Sequence, residues 1–135
     1  MHHDQIIGKV QALTRLPDRG SAERATRAVL TTLAERLPSG LTGHVAAQLP
    51  PTLAAPMRQA REAVAENERF DLTTFVGRIA GRAETDEDAA LREAAAVLEV
   101  LDAALAPELT EKVAAALPKD IGGLLPAGRA AEDSG

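Results

Sequence analysis

The feature that most constrains this chain is an internal repeat. The segment AVLTTLAERL at residues 28–37 returns in outline as AVLEVLDAAL at residues 96–105. When residues 28–50 are set against residues 96–118, a shift of 68, 12 of the 23 positions are identical. About two identities are expected by chance for this composition. The sequence therefore predicts that one folding unit occurs twice.

The repeated positions have the spacing of a helical stripe. Most of the shared Val and Leu residues are three or four positions apart, which places them on one face of an α-helix. No useful stretch alternates apolar and polar residues, so no strand is predicted. Upstream, residues 6–10 match residues 75–79 at a shift of 69, which predicts a first loop one residue shorter in the second copy. We predict an all-α fold, a compact helical bundle of two similar repeats with pseudo-two-fold symmetry.

The domain organisation follows from chain length and from the repeat. A chain of 135 residues can bury about two-thirds of its unfolded surface in one core, so we expect a single domain over residues 1–135. The first repeat is predicted at 4–57, a connecting helix at 58–70 and the second repeat at 71–125. Residues 126–135 lack an apolar period and are expected to form a mobile tail.

Capping residues, proline and glycine predict the helix boundaries. In the first half we predict helices from Asp4 to Leu16 with Ile6, Ile7, Val10 and Leu13 inward, from an N-cap at Ser21 to Leu37, from Leu41 to Leu49, and from Pro56 to Arg69 with Met57, Ala60 and Val64 inward. In the second half we predict an N-cap at Asp71, a long helix from Asp86 to Leu105 capped by Thr85, a short helix from Pro107 to Pro118, and a last turn with Ile121, Leu124 and Leu125.

Composition excludes several functional classes. The chain has no cysteine, so it offers no disulfide, thiolate nucleophile or cysteine-ligated metal site. No segment reaches the 18 or more consecutive apolar residues typical of a membrane span, and no signal-peptide pattern is visible at the N-terminus. We therefore expect a cytoplasmic protein without a membrane partner.

Charge is distributed unevenly along the chain. Residues 1–57 carry six Lys/Arg and four Asp/Glu, whereas residues 71–135 carry six Lys/Arg and thirteen Asp/Glu, within a net charge of −5. An acidic chain with only two aromatic residues, both Phe, is poorly suited to phosphate contacts and base stacking, so no nucleic-acid partner is expected. The asymmetry is consistent with contacts between the halves of different chains, or simply with two solvated faces.

No catalytic or cofactor motif is visible. The acidic run of Glu84, Asp86, Glu87 and Asp88 lacks calcium-loop spacing and favours stabilisation of a helix N-terminus. His44 aligns with Lys112 of the other copy, which favours a solvated position. No serine-nucleophile elbow and no phosphate loop occur. An ordinary enzyme is disfavoured, and we predict no catalytic residue, no metal site and no cofactor.

Arg36 and Gln48 are polar members of the first repeat that are Ala104 and Ala116 in the second. One interpretation is a site kept in one copy, such as an anion or peptide contact between the repeats. The alternative is a structural tie from the long helix to carbonyls of the next helix, because buried polar groups need partners.

The segment from Pro50 to Met57 suggests an interaction surface. If Leu53 and Met57 were exposed between helices, they would form an apolar groove for a protein partner or for self-association. We therefore expect a protein-interaction or self-assembly module. The alternative is a small-molecule or regulatory ligand-binding protein, which would need a cavity between the repeats.

The ordered motifs resemble a known family. The long helix with Ala-Val-Leu and Arg36-Leu37, followed by Gln48-Leu49-Pro50 and a second copy ending in Leu117-Pro118, resembles the bacterial domain-of-unknown-function family numbered 2267. The resemblance spans about residues 4–125. It implies an all-helical duplicated domain and implies no activity. After Pro50 this chain departs from the family, because it lacks the aromatic residues that many members carry there.

Overall fold

Nine α-helices and no strand occur in residues 1–66 and 68–134, the part of the chain described by the computed structural model. The helices are α1 His3–Thr14, α2 Arg19–Arg36, α3 Ser39–Ala47, α4 Pro51–Glu62, α5 Leu72–Ala83, α6 Glu87–Ala104, α7 Pro107–Ala116, α8 Lys119–Gly122 and α9 Pro126–Ser134. The predicted all-α class is confirmed. Position 67 of the predicted connecting helix and position 135 of the predicted tail lie outside the described residues. None of these nine helices is long and apolar enough to cross a membrane.

Aspartates cap three of the helices. Asp71 caps α5, as predicted. The cap of α2 is Asp18 rather than Ser21, and the Ser21 backbone N–H donates to the Asp18 carboxylate at 2.7 Å. The cap of α6 is Asp86 rather than Thr85. Asp18 and Asp86 both have an extended backbone, and each carboxylate accepts a hydrogen bond from the N–H of the third helical residue. This bond satisfies one of the free donors at the helix start.

The helix α4 begins earlier than predicted. It runs from Pro51 to Glu62 rather than from Pro56 to Arg69. Pro51 occupies the first helical position, where a missing N–H costs nothing, and the carbonyl of Pro50 accepts two helical N–H groups. Pro56 lies inside the helix. The chain after Glu62 is irregular up to α5 in its described residues.

The first two helices of each half correspond in order and length. The helices α1 and α5 each have 12 residues, and α2 and α6 each have 18. Arg15 and Glu84 end α1 and α5 in the left-handed region, each with φ of 57°. The loop that follows covers residues 15–18 in the first half and residues 84–86 in the second. It is one residue shorter in the second half, which matches the predicted change of register.

The two long helices lie at the centre of the core. The helix α1 packs against α2 and α6, and α5 packs against the same two helices. One hydrophobic cluster includes residues of both halves; its largest fully buried side chains include Phe75, Ile7, Leu33, Leu37, Ile79 and Leu98. The predicted inward face of α1 is correct for Ile6, Ile7 and Val10 but not for Leu13, which is 57% exposed. The buried face of α1 therefore stops before its last turn.

The C-terminal segment forms a helix where the sequence predicts a mobile tail. The helix α9 contacts α6, α7 and α8. The backbone N–H of Ala127 donates to the carboxylate of Asp102 at 3.0 Å, which fixes the start of α9 to α6. A Cβ at Gly128 would collide with the backbone of Gly122. This close approach shows that α9 packs on α8 through glycine, a contact with no apolar period to reveal it in the sequence.

Candidate functional site

The predicted apolar groove is not formed by Leu53 and Met57. Their exposed fractions are 1% and 0%. Because α4 starts at Pro51, both residues lie on the face of α4 that packs against α2 and α3. The prediction of an exposed face at these two residues is therefore wrong: they belong to the core.

Gln48 and Arg36 each hold a different part of the chain. The side-chain oxygen of Gln48 accepts the backbone N–H of Ala106 at 2.8 Å, which joins the end of α3 to the start of α7. Arg36 Nε donates to the carbonyl of Phe70 at 3.0 Å. The contacts favour the structural-tie interpretation, although the partners lie 58 and 34 residues away rather than on the next helix. The two side chains share no partner.

A buried carboxylate in α2 organises a cluster that the sequence analysis missed. The side chain of Glu35 is 8% exposed. It accepts two hydrogen bonds from Arg82, at 2.7 and 2.8 Å, and one from Arg78 at 3.3 Å. Arg82 also donates to the hydroxyl of Thr32 at 2.8 Å. Paired hydrogen bonds from one guanidinium give a geometrically specific link, here between α2 and α5.

The available sequence signal for this cluster is weak. Glu35 is one helical turn from the buried Thr32 and two turns from the buried Ala28, so a polar residue falls on an inward stripe. The identity of its partner cannot be read from this pattern, because Arg82 is 47 residues away.

Arginine side chains surround Phe70 in an open cleft of about 550 Å³. We call it the phenylalanine cleft; its lining residues are Arg36, Glu68, Arg69, Phe70, Asp71, Thr74, Arg78 and Pro118. The guanidinium carbon of Arg78 lies 4.1 Å from the centre of the Phe70 ring, and that of Arg36 lies 5.9 Å away. Arg78 also donates to Glu68, and this hydrogen bond raises the pKa of Arg78 further above its ordinary value.

Arg36 and Arg69 differ from Arg78 in having no carboxylate partner among the described residues. Arg69 makes no hydrogen bond or ion pair within the described ranges, and the single hydrogen bond of Arg36 goes to a neutral carbonyl. Burial lowers the pKa of Arg36, the nearby cation of Arg69 lowers it further, and the carboxylate of Asp120 opposes both. The phenylalanine cleft therefore holds two neighbouring cations that form no ion pair with a described carboxylate.

A second cleft, of about 620 Å³, lies along α2. We call it the arginine groove; its lining residues are Gly20, Glu23, Arg24, Arg27, Ala28, Thr31, Pro56, Gln59 and Arg82. Arg24 Nη1 lies 3.3 Å from Glu84 Oε2, and Arg27 Nη2 lies 3.3 Å from Glu23 Oε1. Glu84 opens the segment ETDED at residues 84–88, which we call the acidic turn. The groove and the acidic turn thus adjoin at the contact between Arg24 and Glu84.

The remaining candidates from the sequence have structural surroundings. His44 is exposed. Within the acidic turn, Asp86 accepts the backbone N–H of Ala89 at 2.8 Å, which is the helix-start role that the sequence favours. The described residues contain no group of three or more His, Cys, Asp and Glu side chains placed to hold a metal ion.

Fold and site together define a small all-helical protein whose charged residues tie its helices together and border two open clefts. The chain belongs to the DUF2267 family, described as an uncharacterized conserved protein, which matches residues 3–124. The family predicted from the sequence motifs is therefore confirmed. A comparison with curated proteins finds no match.

Proposed function

We propose that the protein is a non-catalytic self-assembly module, in which the arginine groove of one copy receives the acidic turn of a second copy. The observation that carries the proposal is the direct adjacency of these two oppositely charged surfaces. A two-fold interface uses the same patch on both subunits and must be self-complementary. A patch with an arginine half and a carboxylate half meets this requirement.

The groove has the composition that such a contact needs. Its floor includes the small apolar residues Ala28 and Pro56, while Arg24 and Arg27 stand exposed along its length. Each of these arginines already forms an ion pair near the surface, Arg24 with Glu84 and Arg27 with Glu23. Such ion pairs contribute little to stability because water solvates both charges. Exchange of these partners for carboxylates of a second copy therefore costs little.

The apolar alternative has less support. Only Met1, Leu13 and Leu91 are large exposed hydrophobic residues in the described parts of the chain. Apolar docking sites are contiguous patches rather than scattered side chains. Recognition by charge is also consistent with the acidic second half of the chain.

We further infer that the two halves are repeats related by a pseudo-two-fold axis. The matching lengths of α1 and α5 and of α2 and α6 support this inference. The reciprocal packing supports it too, because α1 and α5 each contact both long helices.

Charge reversal tests the assembly. One variant carries Arg24→Glu and Arg27→Glu, and the other carries Glu87→Arg and Asp88→Arg, which spares the cap at Asp86. Each variant alone opposes like charges across the interface. In a mixture, the reversed groove of the first variant meets the reversed turn of the second, and the two unchanged surfaces meet as well. We expect a dimer only in the mixture.

Light scattering with refractive-index detection is the suitable assay, because the chain has no Trp or Tyr. The mass of the wild type should rise from 14.1 kDa towards twice that value as concentration increases. It should fall again at about 1 M salt, where the Debye length is about 3 Å. The matched control reverses Glu108 and Glu111 in α7 and should leave dimerisation unchanged. A wild type that stays monomeric at low salt, or a mixture that does not associate, refutes the proposal.

A further inference from the structure

We propose that the phenylalanine cleft is a binding site for a small oxyanion, a phosphate or carboxylate group held between Arg36 and Arg69. This site is separate from the arginine groove and does not depend on self-assembly. It would give the protein a ligand-binding function in addition to the proposed one.

The first support is the state of the Arg36 guanidinium. Its Nε is anchored to the carbonyl of Phe70, and its carbon atom lies over the Phe70 ring. Its two terminal nitrogens make no hydrogen bond within the described residues. A guanidinium fixed through Nε is oriented in advance, so an incoming anion meets two donors at little entropic cost.

The second support is the local distribution of charge. Glu68 and Glu35 already neutralise Arg78 in the same cleft. Both Arg36 and Arg69 line this cleft, and the pKa of Arg36 is lowered by burial and further by the nearby charge of Arg69. An oxyanion between two guanidiniums accepts charge-assisted hydrogen bonds from both and removes this repulsion.

The nearby carboxylates are engaged elsewhere. Asp71 accepts the backbone N–H of Thr74, and Asp120 accepts that of Leu72 at 3.0 Å. Glu66, beside Arg36 and Arg69 in an adjoining cleft, accepts the backbone N–H of a residue in α3. These three carboxylates therefore stabilise helix starts, and none of them forms an ion pair with Arg36 or Arg69 in the described structure.

The α3 residue that donates its backbone N–H to Glu66 is Ser39, at 2.8 Å. It also lowers the pKa of Glu66, which keeps this carboxylate ionised. An anion must therefore bind in the phenylalanine cleft rather than in the adjoining cleft, which Glu66 lines. The volume of about 550 Å³ is ample for a phosphate or carboxylate group.

Titration calorimetry with three probes at matched ionic strength tests the site: inorganic phosphate, acetate and, as a reference, chloride. We expect phosphate or acetate to bind more tightly than chloride, and the tighter of the two identifies the anion class. Both Arg36→Gln and Arg69→Gln should weaken that binding about tenfold or more, which corresponds to about 1.4 kcal/mol. The matched control Arg58→Gln, an exposed arginine of α4, should bind as the wild type does.

The exposed position of Arg69 keeps the test decisive even if Arg36→Gln unfolds. Normal binding by Arg69→Gln overturns the proposal, as does equal affinity for all three probes. NMR supplies a second readout, because the Arg36 Nε–H signal should shift on titration with the bound anion and should not shift with chloride. An unchanged signal in the presence of measurable binding would place the anion elsewhere and overturn the assignment.

Discussion

Replacement of Arg61 by leucine should produce one of the largest losses of stability available at a polar residue of this protein. Arg61 is buried although it is charged. Its guanidinium donates to the carbonyls of five residues at distances of 2.5 to 3.3 Å: Ala34, Glu35, Leu37, Val64 and Ala65. It therefore joins the end of α2 to the irregular chain after α4.

The end of α2 needs this partner because of the residues that follow it. In a continuing helix, the N–H of residue 38 would donate to the carbonyl of Ala34, but Pro38 has no N–H. The N–H of Ser39 would donate to the carbonyl of Glu35, but it donates to Glu66 instead. Two carbonyls at the end of α2 are thus left for side chains to satisfy. The hydroxyl of Thr42 donates to that of Ala34 at 3.5 Å, whereas Arg61 donates to both.

The size of the effect follows from the burial of these acceptors. Three of the five hydrogen bonds are buried and two are partly buried. Water can replace Arg61 at the partly buried carbonyls, whereas each buried carbonyl left unsatisfied costs about 1 kcal/mol or more. Because Thr42 still donates to the Ala34 carbonyl, two buried carbonyls lose their side-chain donor. We expect Arg61→Leu to lower the free energy of unfolding by about 2 kcal/mol, with a fall in Tm of about 7 °C for a domain of this size.

Arg129 provides a control, because it is an exposed arginine. It donates to the carbonyl of one residue only, Gly123, at 3.2 Å. Arg129→Leu should change the free energy of unfolding by less than about 0.5 kcal/mol. Urea denaturation followed by circular dichroism measures both variants. Equal small losses in the two would show that water or rearrangement satisfies the carbonyls of α2, and the reasoning would fail.

Two further predictions concern the second half of the chain. Burial raises the pKa of Glu93, whose Oε2 lies buried with no hydrogen-bond partner in the described structure. The folded state therefore favours the protonated carboxyl, and ionisation opposes folding. The stability that protonation contributes is present at low pH and is lost as pH rises through the raised folded pKa. Relative to the wild type, Glu93→Gln should thus become more stable between about pH 4 and pH 7, as read from urea midpoints at both values; a constant difference would argue against burial as the cause. Gly128→Ala should detach α9, because the added Cβ collides with the backbone of Gly122. Amide exchange should then become faster in α9 alone, and unchanged exchange in α9 would contradict the prediction.

Local signals explain which parts of the fold were predictable. The cap at Asp71 was predicted correctly because a cap and its helix are neighbours in sequence. The helix α4 was misplaced because Pro56 resembles a helix start, while burial of Leu53 and Met57 extends the helix back to Pro51. This error also produced the wrong expectation of an exposed apolar groove.

The site residues were less predictable, because their partners are distant in sequence. Arg36 and Gln48 were singled out because both are polar in the first copy and alanine in the second. Both residues do form long-range hydrogen bonds. The alignment of the two copies does not indicate which groups these two side chains bind. Pairing across more than 30 residues depends on how α5 and α7 pack, and that information is absent from any local pattern.

The Glu35 cluster yields a further prediction. At shifts of 68 and 69, Glu35 aligns with Ala103 and Arg82 aligns with Leu13, but both of these residues are exposed and make no equivalent buried contact. The expectation therefore rests on the ion pair itself. The pair Glu35→Ala and Arg82→Leu should be tolerated together better than either change alone, because the double variant leaves neither charge without its partner.

The expected coupling is large because each single change leaves a charge without its partner. Glu35→Ala should cost about 2 to 3 kcal/mol, below the 3 to 5 typical of a fully buried pair, since Arg82 is 38% exposed and water screens it. Arg82→Leu should cost less, because Arg78 still contacts Glu35. The double variant should lose at least about 1 kcal/mol less than the sum of the single losses in urea denaturation. Additive losses would mean that Glu35 and Arg82 stabilise the protein independently, and the ion pair would then be incidental to the contact between α2 and α5.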